Sequence, residues 1–171
     1  MNCLGVLLLL LTAAFRPSPP HLELKDAQGN VHNLSDYHGK IVVLNFWATW
    51  CIPCKAEMPI FVDVHKKYQD RGVVVLAASL DDDTTRKYVS QFVHSYKMEF
   101  PILLNANADI MRSVGLGDSI PSTLFLDTDG NVAGKIQGQA KKKDVVHRVE
   151  WLLGNREGQA PEPVTDTLPR K

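Results

Sequence analysis

Charge of one sign is not in excess in this sequence of 171 residues, because Lys plus Arg and Asp plus Glu each number 19. A balanced chain has no basic field that would attract nucleic acid or an anionic membrane surface, and we expect no nucleic-acid partner. The one basic run, residues 141–143, opens a helical pattern and is interpreted as a solvated helix face.

Apolar runs of the ~20 residues that cross a bilayer are also lacking. The longest run, residues 4–14, contains five consecutive leucines and has the length of a signal-peptide core. No basic residue precedes it, but small residues and then a Pro-rich stretch follow. Residues 1–20 are therefore predicted to be a signal peptide or an N-terminal anchor plus linker. This predicts export to the periplasm or to the outer face of the cytoplasmic membrane.

What remains has the composition of one globular domain, with 44% apolar and 22% charged residues. We place this domain at residues 21–153 and expect it to be a monomer. Residues 154–171 are polar and contain Pro161, Pro163 and Pro169. They are predicted to form a disordered tail.

Apolar periodicity predicts an α/β domain. An N-terminal β-hairpin precedes βαβ units, a strand–helix segment is inserted after them, and a second hairpin and a last helix follow. Helices on both faces of a mixed central sheet give three layers, α/β/α. The acidic run 81–83 is interpreted as the cap of a helix over 84–96. The predicted strands are 21–24, 31–34, 41–47, 73–80, 102–104, 122–126 and 131–137, and the predicted helices are 53–68, 84–96, 109–114 and one around 145–153.

Cysteine is scarce, with three residues in all, and Cys3 lies in the apolar leader. Cys51 and Cys54 are too close in sequence for their linkage to stabilise a fold, which leaves redox chemistry or metal binding. They follow a buried strand and begin a long predicted helix. The N–H groups of a helix N-terminus favour a thiolate at Cys51, and Cys54 follows one turn later to attack the mixed disulfide. Pro53 is tolerated in the first turn.

Two segments carry a family resemblance: IVVLNFWATWCIPCKAEMP at 41–59 and IPSTLFLD at 120–127. Over 21–153 the chain resembles the thioredoxin superfamily, in its exported TlpA/ResA-like branch. The resemblance implies that Cys51 is a surface nucleophile and Cys54 the resolving thiol. It also implies that Pro121 is a cis-proline beside the sulfurs and that the backbone of Ile120 binds an extended substrate. The redox-active disulfide would serve without any further cofactor.

Glu57 is three positions after Cys54, so the two side chains share a helix face. We expect burial to raise its pKa, which would let it take the proton of Cys54. The alternative is a first-turn acid favoured by the helix dipole. Asn45 stands where thioredoxins carry a buried aspartate, and an amide cannot accept that proton. Trp50 is predicted to flank the site and to contact clients.

The resemblance implies a thiol-disulfide oxidoreductase, acting as a reductant outside the cytoplasm on client proteins such as apocytochrome c. A membrane electron-donor protein would keep it reduced. Two alternatives stay open. Two thiolates can bind Cu(I), which allows copper delivery. A thiol peroxidase would need a threonine three residues before its cysteine, where this chain has Ala48. The six histidines show no ligand spacing, and no metal site is predicted.

Overall fold

The computed structural model describes residues 20–162 and the backbone of residues 164–165. The predicted leader, apart from Pro20, lies outside the described residues, as does the end of the predicted tail. Four α-helices and three short 3-10 turns surround a single eight-stranded sheet in the part of the chain described. The strands are β1 Glu23–Asp26, β2 Val31–Asn33, β3 Ile41–Trp47, β4 Val73–Ser79, β5 Ile102–Leu104, β6 Ser122–Leu126, β7 Val132–Gln137 and β8 Val164–Thr165, and the helices are α1 Ile52–Tyr68, α2 Val89–Tyr96, α3 Ala108–Ser113 and α4 Lys142–Leu153.

The sheet is mixed, in the order β2-β1-β5-β4-β3-β6-β7-β8. Strands β3, β4 and β5 run parallel, whereas β6 is antiparallel to β3. Segment β5–α3 is inserted between α2 and β6. Strand β5 also pairs antiparallel with β1, so the insertion joins the N-terminal hairpin to the central sheet. The predicted mixed sheet, hairpin and insertion are confirmed.

Central strand β3 is buried along its whole length because helices cover both faces of the sheet. Its side chains alternate between two apolar clusters, as the pleat requires. Val43 and Trp47 pack with α1, α2 and α4, whereas Leu44 and Phe46 pack with α3 and the turn at 34–37. The three predicted layers follow from this alternation.

The helix predicted over 84–96 begins later, at Val89, after a 3-10 turn at Arg86–Tyr88. The side chain of Asp82 accepts hydrogen bonds from the hydroxyl and backbone N–H groups of Thr84 and Thr85. These bonds lower the pKa of Asp82 to about 2 and hold a turn in place of a first helical turn. The predicted helix start at 84 is therefore wrong. Asp82 of the acidic run does cap the turn that leads into α2, whereas Asp81 turns into the protein.

The tail differs from its prediction over the residues that the structure describes. Arg148 on α4 is only 3% exposed, and its guanidinium donates to the carbonyls of Ala133, Pro161 and Glu162 at 3.2, 2.9 and 2.7 Å. A buried cation needs acceptors, and the returning chain supplies two of them. Beyond these residues β8 pairs in parallel with β7. The described tail is therefore anchored to the domain at Pro161 and Glu162.

Candidate active site

The predicted dithiol forms a disulfide at the N-terminus of α1. Cys51 is the N-cap of this helix, and its sulfur accepts a hydrogen bond from the backbone N–H of Cys54 at 3.3 Å. The Sγ atoms are bonded at 2.01 Å. Pro53 lies in the first turn, where the N–H that it lacks has no partner within the helix. A thiolate on Cys51 would therefore lie among unpaired N–H groups, which stabilise negative charge.

The disulfide is largely buried and does not lie on an open surface. Cys51 is 5% exposed and Cys54 is fully buried, whereas the neighbouring Trp50 and Ile52 are 57% and 77% exposed. The expectation of a surface sulfur is corrected, because the Cys51 side chain turns back to cap α1 while its neighbours point outward. Cys51 is still the more exposed of the two cysteines.

The predicted cis-proline lies at the same edge of the sheet. The bond between Ile120 and Pro121 is cis, and β6 begins directly after it. Phe46 of β3 pairs with Ser122 of β6, so the proline enters the sheet where β3 leaves it for the cysteine loop. Pro121 is buried and Ile120 is partly exposed. Binding of a client by the Ile120 backbone stays a prediction.

Glu57 points inward from α1 and is fully buried. Its Oε1 atom accepts from Asn45 Nδ2 at 2.8 Å, and its Oε2 atom accepts from the backbone N–H of Ala140 at 2.6 Å. Burial raises the pKa of Glu57 to about 7. The two hydrogen bonds lower the pKa, but their effect is smaller than that of burial. The predicted rise is confirmed. The alternative of a first-turn acid is wrong, since the first turn of α1 contains no acidic residue.

Asn45 connects Glu57 to the cis-proline strand. Its Nδ2 atom lies 2.8 Å from Glu57 Oε1 and 3.2 Å from Thr123 Oγ1, two residues beyond Pro121. Strands β3 and β6 pair Asn45 directly with Thr123, which places both side chains on the α1 face of the sheet. Sequence reasoning missed Thr123 and Ala140, because neither is a residue type associated with this chemistry.

Asp81 is a further residue that the sequence analysis missed as part of the site. It is 2% exposed, and its carboxylate accepts from the Thr49 backbone N–H at 2.9 Å and from Thr49 Oγ1 at 2.5 Å. Ser79 Oγ donates to the same carboxylate at 2.7 Å. Thr49 and Asp81 each follow a parallel strand, and such strand ends meet at one edge. That both residues follow predicted parallel strands is the sequence signal that could have identified Asp81. Asp81 holds the loop that leads into Cys51.

Replacing Thr49 by valine should lower the free energy of unfolding by about 2 kcal/mol, because the buried Asp81 carboxylate loses a charge-assisted hydrogen bond. Urea unfolding of the oxidised protein measures this loss. Thr85→Val is the matched control, since it removes a hydroxyl that donates to the exposed Asp82. We expect that variant to lose less than about 0.5 kcal/mol. Equal losses would show that Asp81 does not hold the loop.

Comparison with known proteins agrees with this site. The model of the AhpC/TSA family matches residues 18–135. The thiol-disulfide oxidoreductase ResA of Geobacillus thermodenitrificans is 35% identical over 133 residues, which are 78% of this chain and 75% of the relative. A crystal structure of a thiol:disulfide interchange protein from Chlorobium tepidum is 29% identical, with a TM-score of 0.66, and the match covers 83% of this chain and all of that one.

The exposed lipoprotein thioredoxin of Streptococcus pneumoniae is 28% identical, with a TM-score of 0.61. The match covers 76% of this chain and 98% of that one. Family model, relatives, fold and paired cysteines agree with one another. The chain therefore belongs to the AhpC/TSA family of thioredoxin-fold proteins and is a thiol-disulfide oxidoreductase.

Proposed function

We propose that the protein reduces disulfides of client proteins outside the cytoplasm, among them the haem-binding cysteine pairs of apocytochrome c. The observation that carries the exchange chemistry is the Cys51–Cys54 disulfide at the N-terminus of α1. The buried Glu57, three residues after Cys54, has a pKa of about 7, which allows proton transfer at neutral pH. Export is supported by the apolar leader and by the likeness to an exposed lipoprotein thioredoxin. In the described part of the chain, no helix is both long and apolar enough to cross a membrane.

The reaction begins with the reduced protein. The Cys51 thiolate attacks one sulfur of the client disulfide, a mixed disulfide forms, and the other client sulfur leaves as a thiolate. Cys54 then gives its proton to Glu57 and attacks the sulfur of Cys51. The mixed disulfide breaks and the second client sulfur is released. The client disulfide has gained two electrons, and the Cys51–Cys54 disulfide has formed.

Proton transfer by Glu57 is part of this proposal. Cys54 is fully buried, so bulk water does not reach it to remove its proton. The Glu57 carboxylate, held by Asn45 and Ala140, is a base on the same face of α1. Return to the dithiol needs two electrons, which we assign to a membrane electron-donor protein. Cys51 would also be the sulfur that this donor attacks, because it is the more exposed cysteine.

Trapping of clients tests the proposal. The Cys54→Ala variant, expressed in the native host, should accumulate mixed disulfides through Cys51, because nothing resolves them. Mass spectrometry of the trapped partners should identify exported proteins with paired cysteines, and Cys51→Ala should trap none. If Cys51→Ala accumulates the partners, the two cysteine roles are reversed. If Cys54→Ala captures only cytoplasmic proteins, action outside the cytoplasm is wrong.

A further inference from the structure

A groove of about 480 Å³ lies directly beside the cysteine loop. We call it the α2 groove, because one of its walls is helix α2 with the turn before it. The other wall is the loop before Cys51 and the start of α1. Among the residues that line it are Trp50, Lys55, Tyr88, Gln91, Phe92 and Tyr96.

The floor of the α2 groove is aromatic and packed against the core. Phe92 is 8% exposed, and its ring lies 4.4 Å from that of Tyr96 and 4.5 Å from that of the buried Trp47. These stacked rings hold the floor in place without a ligand. A preformed apolar floor costs little ordering when a side chain binds on it.

The rim of the groove carries two large exposed side chains. Trp50 is 57% exposed and Tyr88 is 50% exposed. Single exposed apolar residues are ordinary, but here two aromatic residues border one depression beside a reactive sulfur. Trp and Tyr combine large apolar area with a polar tip, and they are enriched where proteins bind one another.

Lys55 adds a positive charge to this rim. It is exposed on α1, four residues after Cys51, and it forms no ion pair with any residue between 20 and 162. An occupant with a carboxylate beside its apolar side chain would meet both the floor and this charge.

We propose that the α2 groove binds an apolar side chain, best an aromatic one with an acidic neighbour, from a client segment close to its reacting cysteine. The inference rests on the proposed function. It follows from continuity, because Trp50 borders the groove and directly precedes Cys51, the sulfur that a client must reach. An extended chain advances ~3.3 Å per residue, so a side chain about two to four residues from the client cysteine reaches the groove.

Two synthetic peptides test the proposal. Each contains a Cys-Ala-Ala-Cys disulfide. In one peptide a Phe-Asp pair lies on each side of this motif, three residues outside the nearer cysteine. In the other peptide Ser-Ser takes both of these places. Reduced protein is mixed with oxidised peptide under single-turnover conditions, and the thiols are counted after acid quenching. The wild-type protein should reduce the Phe-Asp peptide about tenfold faster, the discrimination that one apolar pocket supplies.

Tyr88→Ser should bring the two peptides to within about twofold of each other, and Lys55→Gln should remove part of the preference. Val132→Ser is the matched control, because Val132 is a similarly exposed apolar residue on β7, away from the groove. That variant should keep the full preference. All three variants should reduce a small aliphatic disulfide, such as bis(2-hydroxyethyl) disulfide, at the wild-type rate, since it has no aromatic ring and no carboxylate to occupy the groove.

A preference that persists in Tyr88→Ser overturns the proposal. If Tyr88→Ser slows reduction of the small disulfide as much as reduction of the Phe-Asp peptide, the proposal is also overturned, because Tyr88 would then act on the sulfurs themselves. A dimer in size-exclusion chromatography that Tyr88→Ser dissociates would show that a second copy fills the groove. If the wild-type protein reduces neither peptide, the proposed function fails and not the groove alone.

Discussion

Replacing Cys51 by serine should slow reduction of a small disulfide by at least about a thousandfold at pH 7. The attacking species is a thiolate, and a serine hydroxyl is not ionised at this pH. Its position adds to the effect, because the Cys51 sulfur caps α1 and lies among the N–H groups of the first turn. Stopped-flow mixing of reduced protein with a chromogenic aromatic disulfide measures the rate.

Cys54→Ser is the informative control for this experiment. It keeps the capping sulfur of Cys51 and should therefore release one equivalent of aromatic thiol at close to the wild-type rate. It should then stop at the mixed disulfide, because no second sulfur attacks. A Cys51→Ser protein that still reacts rapidly would show that Cys54 is the nucleophile, despite its complete burial.

The wild-type protein should lose stability as the pH rises from 4.5 to 8, and the Glu57→Gln variant should lose much less over the same range. Burial raises the pKa of Glu57 in the folded protein to about 7, from an ordinary value of 4.5. The folded state thus favours the protonated carboxyl, and its stabilisation is complete below pH 4.5 and lost as the pH rises through 7. At ~1.36 kcal/mol per pKa unit, this loss amounts to about 3 kcal/mol.

Urea unfolding of the oxidised protein at a series of pH values measures this effect. The amide that replaces the Glu57 carboxyl cannot accept from both Asn45 and Ala140, so the variant should be less stable at pH 4.5 and lose little more at pH 8. Asp82→Asn is the control, because the pKa of the exposed Asp82 is about 2 and this carboxylate does not titrate in the range. If the free energy of unfolding changes with pH in the same way in the wild-type protein and in Glu57→Gln, the raised pKa of Glu57 is contradicted.

The parts of the fold that local patterns determine were predicted from the sequence. Residues 41–47 are a strand with the predicted bounds, because a continuous apolar run is typical of a strand covered on both faces. The helix after the cysteines begins within one residue of its predicted start, since the cysteine pair and Pro53 mark its first turn.

The contacts that complete the site could not be predicted in this way. Asp81 meets Thr49 across 32 positions of sequence, and Glu57 meets Ala140 across 83. Such contacts depend on which strand ends lie side by side, and a local pattern does not contain that information. Asp81 was assigned to a helix cap for the same reason, because capping is the nearest local role for an aspartate before a helix.

The Arg148 contacts determine where this protein can be shortened for laboratory expression. A boundary at residue 153, which composition alone recommends, removes the Pro161 and Glu162 carbonyls and leaves only that of Ala133. The guanidinium would then remain almost without partners beside the Phe125 ring, 5.5 Å away, where burial already lowers its pKa. A recombinant domain should therefore extend past Thr165, and an affinity tag belongs beyond that residue.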